Sequence, residues 1–408
     1  MRTFKNAFAK NLEKIAIIFG YVMESFFLPS FAFFMFPLIP VFFYTQDPEI
    51  TSYIIYLLFG VGYIARPVGA ILFGTIADRY GARLSLVLSL SLAVMATIFI
   101  GFLPIKGSYI IFSQIGLFVL RFLQGVGCGN NTASLSVYYH DNYGYKHGFI
   151  TGLTFSLGLI GFILAKILSI TEKLDYSSGW RTPFLVSGIL GILAVLLRYL
   201  YIPKLFDKNK TSKIQFLKFL TNHKKPFFFS VLTAGLFVMP LYICVFLLNR
   251  FAELFTIGNY KLINIVVILV SKIFFFLFIG YNFEKINFRK CNTFILLAHV
   301  LIPFSFIEKS TLYSPVLVYF IQILFLCANV FFVFYYFRYI PSLFPEEIRY
   351  RAVGLSFATG YATLGGFCLV FFEYLDNISN VYNFSAIFMA GVALLLFLMD
   401  MKQKSSGN

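Results

Sequence analysis

The chain has 408 residues, 59% hydrophobic, 20% aromatic and only 12% charged, with a formal net charge of +16. Soluble domains carry about 25% charged residues, and a soluble chain of this size could not bury so much apolar surface. The composition excludes a soluble protein. Long continuous apolar runs, not short alternating ones, point to membrane-spanning helices and against a barrel.

In chain order, the amino-terminal stretch is basic (Arg2, Lys5, Lys10, Lys14), and no small-residue cleavage site follows its first apolar run, so no removable leader is expected. Breaks at charged and Gly/Pro/Asn clusters divide the chain into twelve predicted helices. They are 14–44, 52–77, 84–104, 109–139, 147–170 and 182–203, then 226–249, 261–283, 291–307, 315–343, 351–374 and 381–400. Pro29, Pro67 and Pro240 fall inside helices, which a membrane tolerates. Segment 204–225 carries seven lysines, from Lys204 to Lys225, and reads as a basic linker against anionic headgroups. The expected organisation is therefore an all-α membrane protein with six helices in 1–203, the linker 204–225, and six helices in 226–408.

Of the 33 Lys and Arg residues, 21 fall on the face holding both termini and the loops after the even-numbered helices, and six on the other face. By the positive-inside rule both termini are cytoplasmic. This placement explains the +16 charge through the bilayer, with no nucleic-acid partner. The cysteines (Cys128, Cys244, Cys291, Cys327, Cys368) lack metal-ligand spacing and read as free thiols. No metal cluster, phosphate-cradling loop or nucleophile elbow is legible, so neither an enzyme, a cofactor nor a metal is expected.

Two loops repeat at an offset of 206 residues. The first carries Gly74, Asp78, Arg79, Gly81 and Arg83; the second carries Gly280, Glu284, Lys285 and Arg289. His147-Gly148 and Val353-Gly354 share the offset. A duplicated transporter, with its site between halves near the midplane, fits such a repeat. Each loop places an acid and bases where two helices reach the cytoplasm, and Asp78 can pair with arginines or cap a helix, forming a cytoplasmic gate. Topology alone would also place charges there.

These features resemble the major facilitator superfamily, and within it the metabolite:proton symporters, the branch of proline/betaine, 2-oxoglutarate, citrate and shikimate carriers. The resembling residues are Arg66-Pro67 and Gly69 leading into Phe73-Gly74, Asp78 and Arg79; Arg121, Gln124-Gly125 and Gly129; Gly179-Trp180-Arg181 with Pro183-Phe184; and Leu343-Phe344-Pro345 with Arg349, Tyr350 and Gly354. The resemblance implies two pseudo-symmetric six-helix halves, transport of a small solute with protons by alternating access, a gate including Arg349, a bacterial inner membrane and a monomer. Two departures stand out. Where the branch reads Glu-Trp-Tyr-Asp and a later Tyr, this chain has Glu24-Ser25-Phe26-Phe27 and Phe31; where it reads Gly-Gly-Glu, this chain has Gly129-Asn130-Asn131.

An ionisable residue at bilayer depth costs at least about 2.5–3.5 kcal/mol, so each needs a reason. Lys166, Arg198 and Arg338 lie near predicted helix ends and are expected to snorkel. Glu24, Arg66, Arg121 and Lys272 lie near mid-depth. Three positive charges against one negative suit an anionic or zwitterionic solute, with Glu24 as the proton-binding candidate. A fixed Glu24–Arg66 pair joining two helices is the other reading. Gln124, Asn130 and Asn131, like Tyr242 and His299, could bond a solute or neighbouring helices. A proton-independent facilitator and a transport-dead sensor remain alternatives.

Overall fold

The computed structural model describes residues 2–43, 47–105, 109–171, 179–204, 224–254, 260–301, 315–366 and 390–397, with Phe216, Leu220, Thr221 and Met399. Among these residues the regular structure is helical, with no strand, as lipid requires of a chain that must satisfy its own backbone groups. Helix α1 (Arg2–Phe43) starts twelve residues before its predicted boundary, because no Gly or Pro interrupts the polar stretch ahead of Lys14.

The second expected span is divided into α2 (Pro48–Ile64) and α3 (Arg66–Tyr80), joined at Ala65. Pro67 has no N–H to donate one turn back, which interrupts the helix there. Gly81 then turns the chain at φ 90°, a region open to glycine, and α4 (Ala82–Phe102) begins at once. The fourth span is likewise two pieces, α5 (Ile110–Cys128) and α6 (Asn131–Tyr143), with a bend at Gly129-Asn130.

Helices α7 (Gly148–Thr171), α8 (Thr182–Tyr201), α9 (Lys224–Leu254), α10 (Tyr260–Tyr281), α11 (Phe288–Leu301), α12 (Pro315–Tyr339) and α13 (Arg349–Gly360) take the spans up to the eleventh. The turns widen over Tyr361–Gly366. Of the twelfth expected span, only 390–397 and Met399 are described. Most of the linker 204–225, Cys368, and the side chains of Phe31, Lys166, Tyr242, Cys244 and Arg289 lie outside the described residues.

By length and hydropathy, six helical stretches among the described residues can cross a bilayer: Tyr53–Tyr80, Ala82–Phe102, Ile110–Tyr143, Gly148–Ala165, Thr182–Tyr201 and Leu326–Leu343. Helix α8 shows why. Ile189, Leu193, Leu196 and Leu200 are exposed at helical spacing, while Ser187, Gly191, Ala194 and Arg198 are buried on the other side.

The chain forms two compact units, each assembled from separate segments. The first takes Met1–Tyr138, Leu157–Gln215 and Pro345–Ala358; the second takes Tyr139–Ser156, Phe216–Phe344 and Thr359–Asn408. In the first unit α4 packs along α8, α5 and α3, and α1 packs along α8. Its core joins Met23, Phe26 and Phe27 of α1 to Leu90, Ala93 and Val94 of α4, Cys128 and Ala194. In the second unit α12 packs against α9, α10 and α11. Its interior is aromatic: Phe155 meets Phe276, Phe237 and Phe337 at centroid distances of 5.4, 5.6 and 5.3 Å.

Candidate functional site

Within the first unit, a buried polar cluster gathers side chains from five helices. Glu24 on α1 is 5% exposed and Arg66, the first residue of α3, is 4% exposed. Arg121 and Gln124 on α5 and Arg198 on α8 are at 0%, and Asn131, which begins α6, is at 2%. Two interrupted spans supply four of these residues. Arg66 sits at the break above Pro67 and Asn131 at the bend after Gly129, and the two breaks touch: a Cβ at Gly129 would collide with the Arg66 carbonyl.

The contacts fall into two connected groups. Asn131 Nδ2 donates to Glu24 Oε2, while Arg198 Nη1 donates to Asn131 Oδ1 at 2.9 Å and to the Leu86 carbonyl at 3.2 Å. Arg66 and Arg198 are the cations acting on Glu24, and the Arg66 guanidinium also lies over the Tyr63 ring, 4.9 Å from its centroid. In the second group, Arg121 Nη1 donates to Gln124 Oε1 and Nε to the Leu58 carbonyl at 3.4 Å. Gln124 Nε2 donates to Thr97 Oγ1 at 2.8 Å, which itself donates to the Ala93 carbonyl at 2.7 Å. Cys128 lies where the fields of Glu24, Arg66, Arg121 and Arg198 all reach. Three guanidinium groups and one carboxylate leave an excess of positive charge, which suits a solute bearing a carboxylate.

The sequence brought Glu24, Arg66, Arg121, Gln124 and Asn131 to this cluster, but missed Arg198. The expectation that Arg198 snorkels is corrected: α8 runs on past it to Tyr201 and packs beside α1 and α4, so its head is sealed inside. A signal existed at Gly20, where any Cβ would meet the Arg198 guanidinium, with Nη2 at 2.6 Å. Lys272, also buried at 5% exposure, is on α10 in the second unit. His299, at 0%, bonds the Ile295 carbonyl through Nδ1 at 2.9 Å and packs edge-on to Phe332, so it helps to hold its helix. Asn130 donates to Ser134 Oγ at 2.7 Å, a local bond that opens α6. Cys128, Cys291 and Cys327 are free thiols.

The first repeated loop is a built contact. The Asp78 side chain, 0% exposed, accepts from the backbone N–H groups of Tyr350 (2.9 Å) and Arg351 (3.3 Å) and from Arg351 Nε (2.7 Å). One carboxylate thus satisfies the first turn of α13 and pairs with a charge on it. Gly74 permits the approach, since a Cβ there would lie 2.7 Å from Arg351 Cα. The sequence pointed to Arg349, which is half-buried at the start of α13; the residue that pairs with Asp78 is Arg351. Arg79 is exposed, and Arg83 donates to the Tyr199 carbonyl while its Cζ lies 4.9 Å from the Tyr199 ring centroid.

The second repeated loop keeps the glycine and changes the chemistry. A Cβ at Gly280 would lie 2.9 Å from the Gly148 carbonyl, so α10 and α7 approach as closely as the repeat implies. Glu284 and Lys285 are exposed, and neither has an ion-pair partner among the described residues. Buried Phe283 takes the place of the carboxylate. Its ring lies 4.7 Å from His147, 5.0 Å from Phe288 and 5.7 Å from Phe334. Arg338 donates to the Phe283 carbonyl at 3.2 Å and stands 5.0 Å from that ring and 5.3 Å from Phe288. Arg338, half-buried near the end of α12, is held by these aromatic faces and by that carbonyl.

Comparison with known proteins agrees with this arrangement. Residues 22–370 match the family described as the Major Facilitator Superfamily. A protein of Staphylococcus aureus (strain COL), provisionally named a proline/betaine transporter, is 25% identical over 380 residues, covering 86% of this chain and 80% of its own. The inner membrane metabolite transport protein YhjE of Escherichia coli (strain K12) is 30% identical over 244 residues, covering 57% of this chain and 54% of its own. Among solved structures, the proton:xylose symporter XylE bound to 6-bromo-6-deoxy-D-glucose superposes with a TM-score of 0.76 at 14% identity. That match covers 97% of this chain and 96% of XylE.

Proposed function

The chain belongs to the major facilitator superfamily, and on that footing we propose that it carries a small anionic or zwitterionic metabolite by alternating access with proton symport. That it is a multi-pass membrane transporter with a small-molecule substrate, and not an enzyme, follows from the family. The finer reading rests on one observation: three buried arginines, Arg66, Arg121 and Arg198, share a cluster with the single carboxylate of Glu24.

A desolvated guanidinium binds a carboxylate with paired, charge-assisted hydrogen bonds, so the cluster offers recognition for an organic acid or a proline- or betaine-like zwitterion. Arg66 and Glu24 keep slight exposure and are the candidates for direct contact, with Gln124, Asn131 and Lys272 as further contributors. Glu24 is the proton-binding candidate. Asp78 and Arg351 act as the cytoplasmic gate, with Gly74, Gly81 and Arg83 shaping the turn. The protein works as a monomer in a bacterial inner membrane, both termini cytoplasmic, with halves 1–203 and 226–408 rocking about the linker.

The test is uptake by proteoliposomes of labelled proline, betaine, 2-oxoglutarate and citrate, with and without an inward proton gradient. Gradient-driven accumulation of one of them, lost in Glu24→Gln, supports symport. Saturable equilibration indifferent to the gradient and to Glu24 would sink symport and leave a facilitator.

A further inference from the structure

Behind Glu24 lies a chain of three side chains from three helices. Arg198 donates to the oxygen of the Asn131 amide, and the nitrogen of that amide donates to Glu24. A guanidinium can only donate, an ionised carboxylate can only accept, and an amide does both. Asn131 therefore joins the two in one orientation alone, oxygen toward Arg198 and nitrogen toward Glu24. A carboxylate at position 131 would set two acceptors face to face.

The far end of this chain is anchored. Arg198 Nη1 also bonds the Leu86 carbonyl on α4, the helix along which α8 packs most extensively, and Gly20 leaves the room its guanidinium fills. Arg198 has no exposure, whereas Glu24 keeps 5%. Arg198 thus acts on Glu24 by its charge and, through Asn131, by the bond it holds.

We propose that Arg198 is a positioning residue: through Asn131 it fixes the carboxylate of Glu24 in one orientation, the orientation on which coupling depends. This rests on the reading of Glu24 as the coupling group, and the test separates the two.

Infrared difference spectra of the full chain in lipid nanodiscs, parent minus Glu24→Gln, isolate the Glu24 carboxyl bands. Recorded again in Arg198→Gln and in Asn131→Leu backgrounds, the bands move from their wild-type positions in both. Wild-type bands in both backgrounds overturn the proposal. Where Arg198→Gln does not fold, Arg198→Lys serves; it keeps the charge but gives up the planar guanidinium that meets Asn131.

A second arm measures downhill uptake, with no proton gradient imposed, of whichever panel solute is carried. Arg198→Lys slows uptake about tenfold in the wild type and less than about twofold in Glu24→Gln, because residues acting as one unit are non-additive. Equal factors in both backgrounds overturn the proposal and assign Arg198 to general stability. If no panel solute is carried, the substrate reading falls on its own, and the infrared arm still decides the role of Arg198.

Discussion

Arg351 reaches the Asp78 carboxylate twice, through its backbone N–H at 3.3 Å and through Nε at 2.7 Å. The adjacent N–H of Tyr350 adds a third bond at 2.9 Å. A single side chain on α3 therefore serves as both the counter-charge and the cap of α13. The two roles differ in what can replace them, and substitutions can separate them.

Asp78→Ala is expected to destabilise the protein by about 3 kcal/mol, since hydrogen bonds to a charged group contribute about 1.5–3 kcal/mol each and overlap here. The charge-swapped pair Asp78→Arg with Arg351→Asp is expected to stay impaired, because the backbone N–H groups of α13 still need an acceptor. Thermal unfolding in detergent reads both. Recovery in the swapped pair would show that charge alone holds this contact.

Gly74→Val places branched carbon where Arg351 Cα stands 2.7 Å from an added Cβ. The backbone of α13 cannot give way as a side-chain tip would, so a cost of about 1–3 kcal/mol and loss of the Asp78 bonds are expected. Labelling of a cysteine introduced at Tyr350, in wild type and in Gly74→Val, measures how far α13 is displaced. Unchanged labelling would count against the close approach.

The second loop behaves in the opposite sense to its repeat. Phe283→Ala is expected to cost about 3 kcal/mol through loss of its contacts with His147, Phe288, Phe334 and Arg338. Glu284→Gln, at an exposed position, stays within about 0.5 kcal/mol of wild type. Melting temperatures of the two variants give the comparison, and a larger loss in Glu284→Gln would restore the carboxylate to the role its spacing suggests.

Gly62→Ala tests the arginine on α5 without touching its charge. A Cβ at Gly62 would lie 2.9 Å from Arg121 Nε and 3.0 Å from Cζ, which pushes the guanidinium off the Leu58 carbonyl. Uptake is expected to fall at least about tenfold with little change in stability, since a displaced recognition group forfeits its charge-assisted bonds. Wild-type uptake would remove Arg121 from the solute-handling group.

The all-helical, membrane-spanning class was legible because an apolar run of lipid-crossing length has few other uses. The repeat at 206 residues also located both close approaches, at Gly74 and Gly280. Two things escaped. The first was that the Arg198 side chain turns inward: it lies near a helix end, where distance along the chain suggests snorkelling, and only the packing of α8 shows otherwise. The second was the partner of Asp78. Arg349 and Arg351 are two residues apart, and helical geometry places one of them alone beside the carboxylate. Conversely, the amide at position 131, a departure from the resembling branch, is intelligible once Arg198 and Glu24 are seen on either side of it.

The partners of Asp78 lie 272 and 273 residues downstream of it. At a synthesis rate of about 5–20 residues per second, roughly 14–54 s separate the appearance of the carboxylate from that of its first donor. The first compact unit needs Pro345–Ala358 for completion, so through that interval it exists without its last segment. The nascent protein must therefore hold a ready-made acceptor without its donors until α13 has been made, which makes the arrival of α13 a natural checkpoint of biogenesis.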